Sequence, residues 1–133
     1  MKAVFADTSF FLASLNPDDQ LHERAISVSR EVTALRLTTG FVLLEVGNAI
    51  SRALLRSRFV EFYTWLRQHP RVRIMPVSEE LFHRGYELYA TREDKDWSLT
   101  DCISFIVMRD EELQAALTHD QHFEQAGYKA LLR

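Results

Sequence analysis

Short apolar runs alternate along the whole chain with longer stretches in which apolar residues recur every three or four positions. The short runs predict strands at Lys2–Ala6, Leu35–Thr38, Val72–Val77 and Ala115–Thr118, with a further edge strand at Tyr128–Leu131. The longer stretches have the spacing typical of amphipathic helices. This alternation predicts a three-layer α/β fold, with a central, mostly parallel sheet of four to five strands between helices.

Capping residues mark where several helices begin. Asn16 followed by Pro17 predicts a helix start, and Ser78 predicts another. The longest predicted helix, Phe41–Arg56, is apolar nearly all round in its first half, so we expect that half to be buried. Three further helices are expected, over Arg58–His69, Ser98–Asp110 and Gln121–Ala126.

The chain has the length of one domain, and we expect residues 1–133 to form a single unit. The only cysteine is Cys102, which excludes an internal disulfide and a multi-cysteine metal site. No apolar run is long enough to span a bilayer, and Asp7 interrupts the position where a signal peptide would need its apolar core. We therefore expect a cytoplasmic protein without a membrane segment.

Four acidic residues lie beside or within apolar segments. Asp7 and Asp120 each follow a predicted strand, Glu45 lies inside the most apolar helix, and Asp101 precedes another apolar helix. Sites in open α/β sheets form outside the carboxyl ends of the strands, so Asp7 and Asp120 converge if the two strands they follow are neighbours. The two helical acids, Glu45 and Asp101, could then complete the set. Four carboxylates in one place repel each other unless a cation neutralises them. Oxygen ligands alone favour Mg²⁺ or Mn²⁺ over zinc.

Each acid also has a purely structural interpretation. Asp7 and Asp120 are suitable helix N-caps, and Asp101 completes a capping box with Ser98. Glu45 is the hardest to explain structurally, because its helix neighbours are apolar. A cap residue can also bind a ligand through its second oxygen, so the two interpretations are compatible.

Four segments in order resemble one known family, the PIN-domain ribonucleases, and within it the VapC-type toxins of bacterial toxin–antitoxin pairs. The segments are Ala6-Asp-Thr-Ser9, Leu44-Glu-Val-Gly-Asn-Ala49, Ser98-Leu-Thr-Asp-Cys-Ile-Ser-Phe105 and Leu117-Thr-His-Asp-Gln-His-Phe123, followed by Gly127. Together they extend over most of the chain.

The resemblance implies a site and an activity. The acidic metal site would be Asp7, Glu45, Asp101 and Asp120, supported by a hydroxyl of Thr8 or Ser9. The activity would be Mg²⁺- or Mn²⁺-dependent cleavage of RNA, in which a metal-activated water attacks the phosphodiester. Toxin members of the family pair with a small antitoxin and often form homodimers.

Asn48, Arg52 and Arg56 follow Glu45 at spacings of three and four, which places them on one face if the helix is continuous. This face is a candidate contact for RNA or for an antitoxin. It can equally be a solvated helix end whose cations complement the helix dipole.

The remaining chemistry-bearing residues receive structural interpretations. His22 and His122 are expected to pack or to donate hydrogen bonds. Cys102 is expected to be a small core residue.

The formal net charge of −3 argues at first against a nucleic-acid partner. However, four of the negative charges belong to the predicted cation site, and two divalent ions would bring the charge to about +1. All but three of the 16 basic residues are arginines, which suit phosphate and carboxylate contacts.

Three alternatives remain at this point. A two-component receiver domain is similar in size and binds Mg²⁺, but the single Asp7 and the absence of a suitable late lysine argue against it. A housekeeping RNA-processing PIN nuclease has the same acids as a toxin. A catalytically inactive PIN scaffold would not need all four acids.

Overall fold

The computed structural model describes residues 2–133, which form five strands and seven helices. The strands are β1 (Ala3–Ala6), β2 (Leu35–Thr39), β3 (Val72–Met75), β4 (Ala115–Leu117) and β5 (Lys129–Ala130). The helices are α1 (Thr8–Leu15), α2 (His22–Glu31), α3 (Gly40–Ala49), α4 (Arg56–Gln68), α5 (Glu79–Thr91), α6 (Leu99–Asp110) and α7 (Gln121–Gln125).

All five strands form one parallel sheet in the order β3-β2-β1-β4-β5, with helices flanking it. In the central pair, Phe5 lies opposite Ala116 and Ala6 opposite Leu117. The prediction of a parallel α/β sheet is confirmed, and its four to five strands prove to be five. In the described residues 2–133, no helix is long and apolar enough to cross a membrane.

At the centre of the core, β1 packs against two helices, α6 and α7, which precede and follow β4. Phe5 and Phe123 are fully buried with ring centroids 6.3 Å apart, and Phe105 of α6 meets Phe123 edge-on at 4.9 Å. Burial of aromatic side chains of this size dominates core stability. These contacts hold α6 and α7 against the end of the sheet where β1 and β4 finish.

The prediction of one helix over Phe41–Arg56 is wrong at its C-terminal end. Helix α3 stops at Ala49, the chain turns, and Arg56 is the first residue of α4. The close contact between Gly47 and the ring of Phe59 explains the turn, because a Cβ at Gly47 would lie 3.3 Å from that ring. A continuous helix would carry Phe59 away from Gly47, so packing overrides helical continuity here.

The burial expected for the first half of that helix is also only partly correct. Val42, Leu43 and Val46 are buried, but Leu44 is 60% exposed and Glu45 is half-buried. The helix therefore has an outward face, which its near-uniform apolar sequence conceals.

The helix predicted to begin at Asn16-Pro17 begins later, at His22. Asn16 instead terminates α1, and its side chain accepts a hydrogen bond from the amide of Asp18. Asp19 does the same for Leu21. These local side-chain turns use the same residues as a helix N-cap would, and their formation delays the start of α2 to His22.

The predicted bounds of β1, β2 and β4 are each wrong by one residue at one end, and those of β3 and β5 differ more. Strand β3 ends at Met75 instead of Val77, because Pro76 has no N–H to donate to the sheet. Strand β5 covers only Lys129–Ala130, and Gly127 before it adopts φ +96°, a conformation that favours glycine.

Candidate active site

The ends of β1 and β4 bring Asp7 and Asp120 to the same edge of the sheet. The two strands are parallel neighbours, and the amide of Asp7 donates to the carbonyl of Leu117 at 3.2 Å. Because β4 ends at Leu117, Asp120 follows at that same edge. The expectation that these strands are neighbours is confirmed.

The Asp7 carboxylate is buried and held by hydroxyl groups. Its Oδ2 accepts hydrogen bonds from Thr118 Oγ1 at 2.9 Å and from Ser9 Oγ at 3.3 Å. The two hydroxyls lie 3.1 Å apart, and Thr118 Oγ1 also accepts from the amide of Asp120 at 3.0 Å. Thr118 therefore ties Asp7 to the turn that carries Asp120.

Asp101 occupies the first turn of α6 and forms the predicted capping box. Ser98 Oγ accepts from the Asp101 amide at 3.0 Å, and Asp101 Oδ2 accepts from the Ser98 amide at 3.1 Å. The same Oδ2 lies 3.0 Å from Nδ1 of His122. The carboxylate is buried, so the cap fixes its position as well as the start of the helix.

Asp120 caps the short helix α7, where its Oδ1 accepts from the amide of His122 at 2.9 Å. That oxygen also lies 3.3 Å from Nδ1 of His122. One ligand atom each of Asp101, Asp120 and His122 therefore falls within 4.8 Å of the others. In the part of the chain that the structure describes, this is the only group of its kind.

Glu45 is half-buried in the middle of α3 and is fixed by a hydroxyl of α1. Its Oε1 accepts from Thr8 Oγ1 at 2.6 Å. Thr8 follows Asp7 directly, so the first turn of α1 links Glu45 to the end of β1. The hydroxyls of Thr8 and Ser9 thus contact different acids.

The structure shows which of the acids make helix-capping hydrogen bonds and which do not. Asp101 and Asp120 both cap helices, as the structural interpretation expected. Asp7 occupies the N-cap position of α1, but its side chain makes no capping hydrogen bond. Its burial is therefore not explained by helix capping.

Burial and like charges raise the pKa of two of these acids. Burial raises the pKa of Asp7 to about 7, with Asp101 and Asp120 adding repulsion, although the Thr118 hydrogen bond acts in the opposite direction. Burial also raises the pKa of Asp101, and Asp120 adds to it, against the hydrogen bond from His122. The protein thus keeps carboxyl groups where their charged forms are disfavoured.

This donor set fits a divalent cation. Buried carboxylates that repel one another are costly, and a positive ion among them removes both the repulsion and the desolvation cost. Oxygen donors from Asp7, Asp101 and Asp120 are those that Mg²⁺ and Mn²⁺ prefer. Asp101 and Asp120 are close enough to share an ion, and Asp7 and Glu45, which lie outside that cluster, are the further acids that would hold it; Thr8 links Glu45 to the end of β1.

The predicted face of Asn48, Arg52 and Arg56 does not form. Asn48 lies near the end of α3, Arg52 in the following turn and Arg56 at the start of α4. All three are exposed. The break at Ala49 separates the two arginines from the helix that carries Glu45, so helical spacing does not align them with it.

Two histidines and the cysteine follow their structural interpretations in part. His22 lies 2.7 Å from the carbonyl of Ala13 through Nδ1, and Cys102 is fully buried, where burial raises its thiol pKa to about 11. His122 makes hydrogen-bond contacts as expected, but its partners are two acids of the site.

Sequence reasoning missed Thr118, the fully buried residue that joins the two strand ends. A signal was present, since Thr118 lies between an apolar strand and Asp120, where a hydroxyl has polar neighbours. It also missed the site position of His122, because the direction of a side chain cannot be read from helical spacing.

Comparisons with known proteins show the family and the fold. The family model described as PIN domain matches residues 4–128. The 23S rRNA-specific endonuclease VapC20 of Mycobacterium tuberculosis, from two strains, is 28% identical over 125 residues, covering 94% of this chain and 95% of the relative.

Solved structures of related proteins have the same fold as this chain. The crystal structure of M. tuberculosis VapC20, described as a Sarcin-Ricin loop cleaving toxin, has a TM-score of 0.86 at 27% identity, covering 94% of this chain and 95% of that one. FitAcB from Neisseria gonorrhoeae (TM-score 0.67, 18% identity, 96% and 95% covered) shares the fold. So does VapBC2 from Rickettsia felis bound to a promoter DNA fragment (0.66, 12%, 96% of each chain).

Proposed function

This chain belongs to the PIN-domain family, and we propose that it is a toxin endoribonuclease of a toxin–antitoxin pair, with Mg²⁺ or Mn²⁺ as cofactor. One observation carries the proposal. Buried Asp7 at the end of β1 is repelled by Asp101 and Asp120, which lie close together at the starts of α6 and α7, in a chain similar to VapC20 over 94% of its length. We take residues 1–133 as one nuclease unit that acts in the cytoplasm, where RNA and an antitoxin are both present.

The four acids have different proposed roles. Asp7 and Asp101 bind the cation directly, because they are the most buried of the set. Glu45 and Asp120 bind it through water or hold a second ion. A divalent cation supplies a bound water of lowered pKa and a positive charge beside the phosphate. Thr8, Ser9 and Thr118 orient the carboxylates through the hydroxyl contacts described above.

RNA is the proposed substrate, and ribosomal RNA is the first candidate. The similar VapC20 is described as specific for 23S rRNA and as cleaving the Sarcin-Ricin loop. Asn48, Arg52 and Arg56 are proposed contacts for RNA or for an antitoxin, as exposed polar residues beside the end of α3. Arginine contacts with phosphate position a nucleic acid without reading its sequence.

A small antitoxin is the proposed protein partner. A groove of about 940 Å³, lined by Phe10, Phe62, Trp65 and other apolar residues together with a similar number of polar ones, contains none of the four acids in its lining. Such a groove suits an apolar segment of another protein better than a phosphate backbone. The fold is shared with the VapBC2 protein, which supports pairing of the same kind.

A homodimer is the proposed assembly. Leu44 on α3 and Phe82, Tyr86 and Tyr89 on α5 are large side chains that stay between 45% and 60% exposed. Phe82, Tyr86 and Tyr89 follow at helical spacing on α5, and exposed apolar side chains on one helix face mark interaction surfaces. Light scattering at several concentrations measures the assembly directly.

The activity is tested with purified protein on rRNA and on intact ribosomes in Mg²⁺ or Mn²⁺. We expect cleavage by the wild type and almost none by Asp101→Asn. The asparagine keeps an oxygen for the Ser98 amide, so α6 stays capped. Asp96→Asn, an exposed loop position, is the matched control and should cleave normally. Equal cleavage by Asp101→Asn would refute the proposed site, and no cleavage by the wild type would favour an inactive scaffold.

The toxin assignment needs a second experiment. Induced expression should arrest growth, and the product of a small neighbouring open reading frame should restore it. Cleavage without arrest, or with no such neighbour, would favour a housekeeping RNA-processing nuclease.

A further inference from the structure

The imidazole of His122 lies between two of the four acids. Its Nδ1 is 3.0 Å from Asp101 Oδ2 and 3.3 Å from Asp120 Oδ1. Asp120 and His122 both belong to the start of α7, as its N-cap and its second residue, whereas Asp101 lies in the first turn of α6. The contact between His122 and Asp101 joins two separate segments, so local chain geometry alone does not explain it.

The ring of His122 is held in place by its neighbours along the chain. Its own amide donates to Asp120 Oδ1, and the next residue, Phe123, is fully buried against Phe5 and Phe105. Only 22% of the His122 side chain is exposed. The nitrogen therefore faces the acids because the α7 backbone is anchored, and it needs no large movement to act together with them.

The separations match those between neighbouring ligand atoms on one metal ion. Metal bonds of about 2.1 Å at right angles place adjacent donor atoms about 3.0 Å apart. The described residues give Nδ1 no other hydrogen-bond partner than these two acids. In the metal-free protein Nδ1 donates to the carboxylates, and a cation that displaces this proton would meet a nitrogen lone pair and two carboxylates in one place.

We propose that His122 binds a divalent cation of the site through Nδ1, together with Asp101 and Asp120, so that Asp120 is a direct ligand of this ion and does not bind it through water. This inference rests on the proposed metal-dependent function and adds a nitrogen ligand to its oxygen set. His122 is then a metal ligand that also determines which ion the site selects.

A nitrogen ligand changes that selectivity. Mg²⁺ prefers oxygen donors, whereas affinity for mixed nitrogen and oxygen sites rises through the transition metals from Mn²⁺ onwards. His122 therefore makes the site prefer Mn²⁺ to Mg²⁺. Removing the imidazole should leave a carboxylate site that discriminates less between the two ions.

Pulsed electron paramagnetic resonance of the Mn²⁺-loaded protein, without RNA, tests the ligand directly. We expect a ¹⁴N coupling from a bound imidazole in the wild type and its loss in His122→Asn. His119→Asn is the matched control, because His119 is an exposed histidine of the same segment whose side chain is outside the cluster. It should keep the coupling.

Calorimetry of the same variants measures selectivity. His122→Asn should lose about tenfold or more in Mn²⁺ affinity, while its Mg²⁺ affinity changes less than about threefold. Circular dichroism checks that α7 remains folded in both variants.

The outcomes separate this inference from the proposed function. Mn²⁺ bound without a ¹⁴N coupling, or with the same coupling in His122→Asn, would overturn the histidine ligand and leave the acid site intact. Equal losses of Mn²⁺ and Mg²⁺ affinity would instead show that His122 only orients the two aspartates. No metal binding by the wild type would overturn both proposals.

Discussion

Two polar regions of the molecule, the acid site (Asp7, Glu45, Asp101 and Asp120) and the arginine turn (residues 50–55 and Arg56), differ in how firmly the fold holds them. Each acid accepts at least one hydrogen bond from another residue, and Asp7 and Asp101 are buried. The arginine turn is largely exposed and lies between two helices. The guanidinium groups of Arg52 and Arg56 have no hydrogen bond or ion pair within residues 2–133.

This difference indicates where the fold places groups that lower the stability of the metal-free protein. Groups that are buried, repelled and held in one geometry have a cost that only a ligand explains. Groups that are exposed to solvent have little cost, so their position carries less information about function. We therefore expect substitutions in the acid site to have large effects and those in the arginine turn to have small ones.

The largest effect is expected for Asp7→Asn. Loss of the most buried carboxylate removes a proposed metal ligand, and cleavage should fall by about a thousandfold or more. The asparagine is isosteric and can still accept from Thr118, so the fold should be preserved. Single-turnover cleavage of a labelled RNA measures the change, and a loss of less than about tenfold would contradict the role of Asp7.

The second effect is on stability. The pKa of Asp7 is about 7 in the folded protein, against an ordinary value of 3.8 for a solvated aspartate, so unfolding releases a proton between these values. The folded state then binds more protons, and the stability of metal-free protein should fall as pH rises from 4 to 7, by about 4 kcal/mol from this group.

Urea unfolding in EDTA at pH 5 and pH 8 measures that change. Asp7→Asn has no titrating carboxyl here, so it should be more stable than the wild type at pH 8 and lose much of the pH dependence. A variant that is less stable than the wild type at pH 8 would show that Asp7 is not strained in the metal-free protein.

A smaller effect is expected for Thr118→Val, which removes the hydroxyl that joins Asp7 to the Asp120 turn. Activity should fall about 10- to 100-fold, as for other residues that orient metal ligands. Thr38→Val is the matched control, because Thr38 is an equally buried threonine whose hydroxyl donates to the carbonyl of Ala6. Both variants should lose about 1–3 kcal/mol of stability, but only Thr118→Val should lose activity.

The smallest effect is expected in the arginine turn. Arg52→Ala and Arg56→Ala should each weaken RNA binding about two- to fivefold at low salt, with less effect at higher salt, because exposed charges are screened. Fluorescence anisotropy at two salt concentrations measures it. A loss as large as that of Asp7→Asn would show that the turn is ordered by RNA and forms part of the cleavage site.

The sequence predicts the acid site better than the arginine turn for a physical reason. Asp7 and Asp120 follow apolar strands, and parallel strands end at a shared edge. Asp101 is placed by a local four-residue capping box. Both rules place each acid relative to its own strand or helix start, which depends on residues close in the chain. Contacts with distant residues therefore do not change that placement.

The end of α3 depends instead on a distant contact. No glycine or proline interrupts residues 50–56, and the packing of Phe59 against Gly47 is a contact that a continuous helix could not make. The direction of the His122 ring also depends on contacts with distant residues. The late start of α2 has a different origin, because local side-chain turns compete with the expected N-cap. Spacing alone therefore predicted the elements, but not where each one stops.

Removal and return of the metal ion tests the central claim most directly. RNA cleavage by the purified wild type should be abolished by excess EDTA and restored by Mg²⁺ or Mn²⁺ but not by a monovalent salt of equal ionic strength. The same protein carrying Asp7→Asn should stay inactive after the ion is returned. Cleavage that continues at the same rate in EDTA would contradict a metal-dependent acid site.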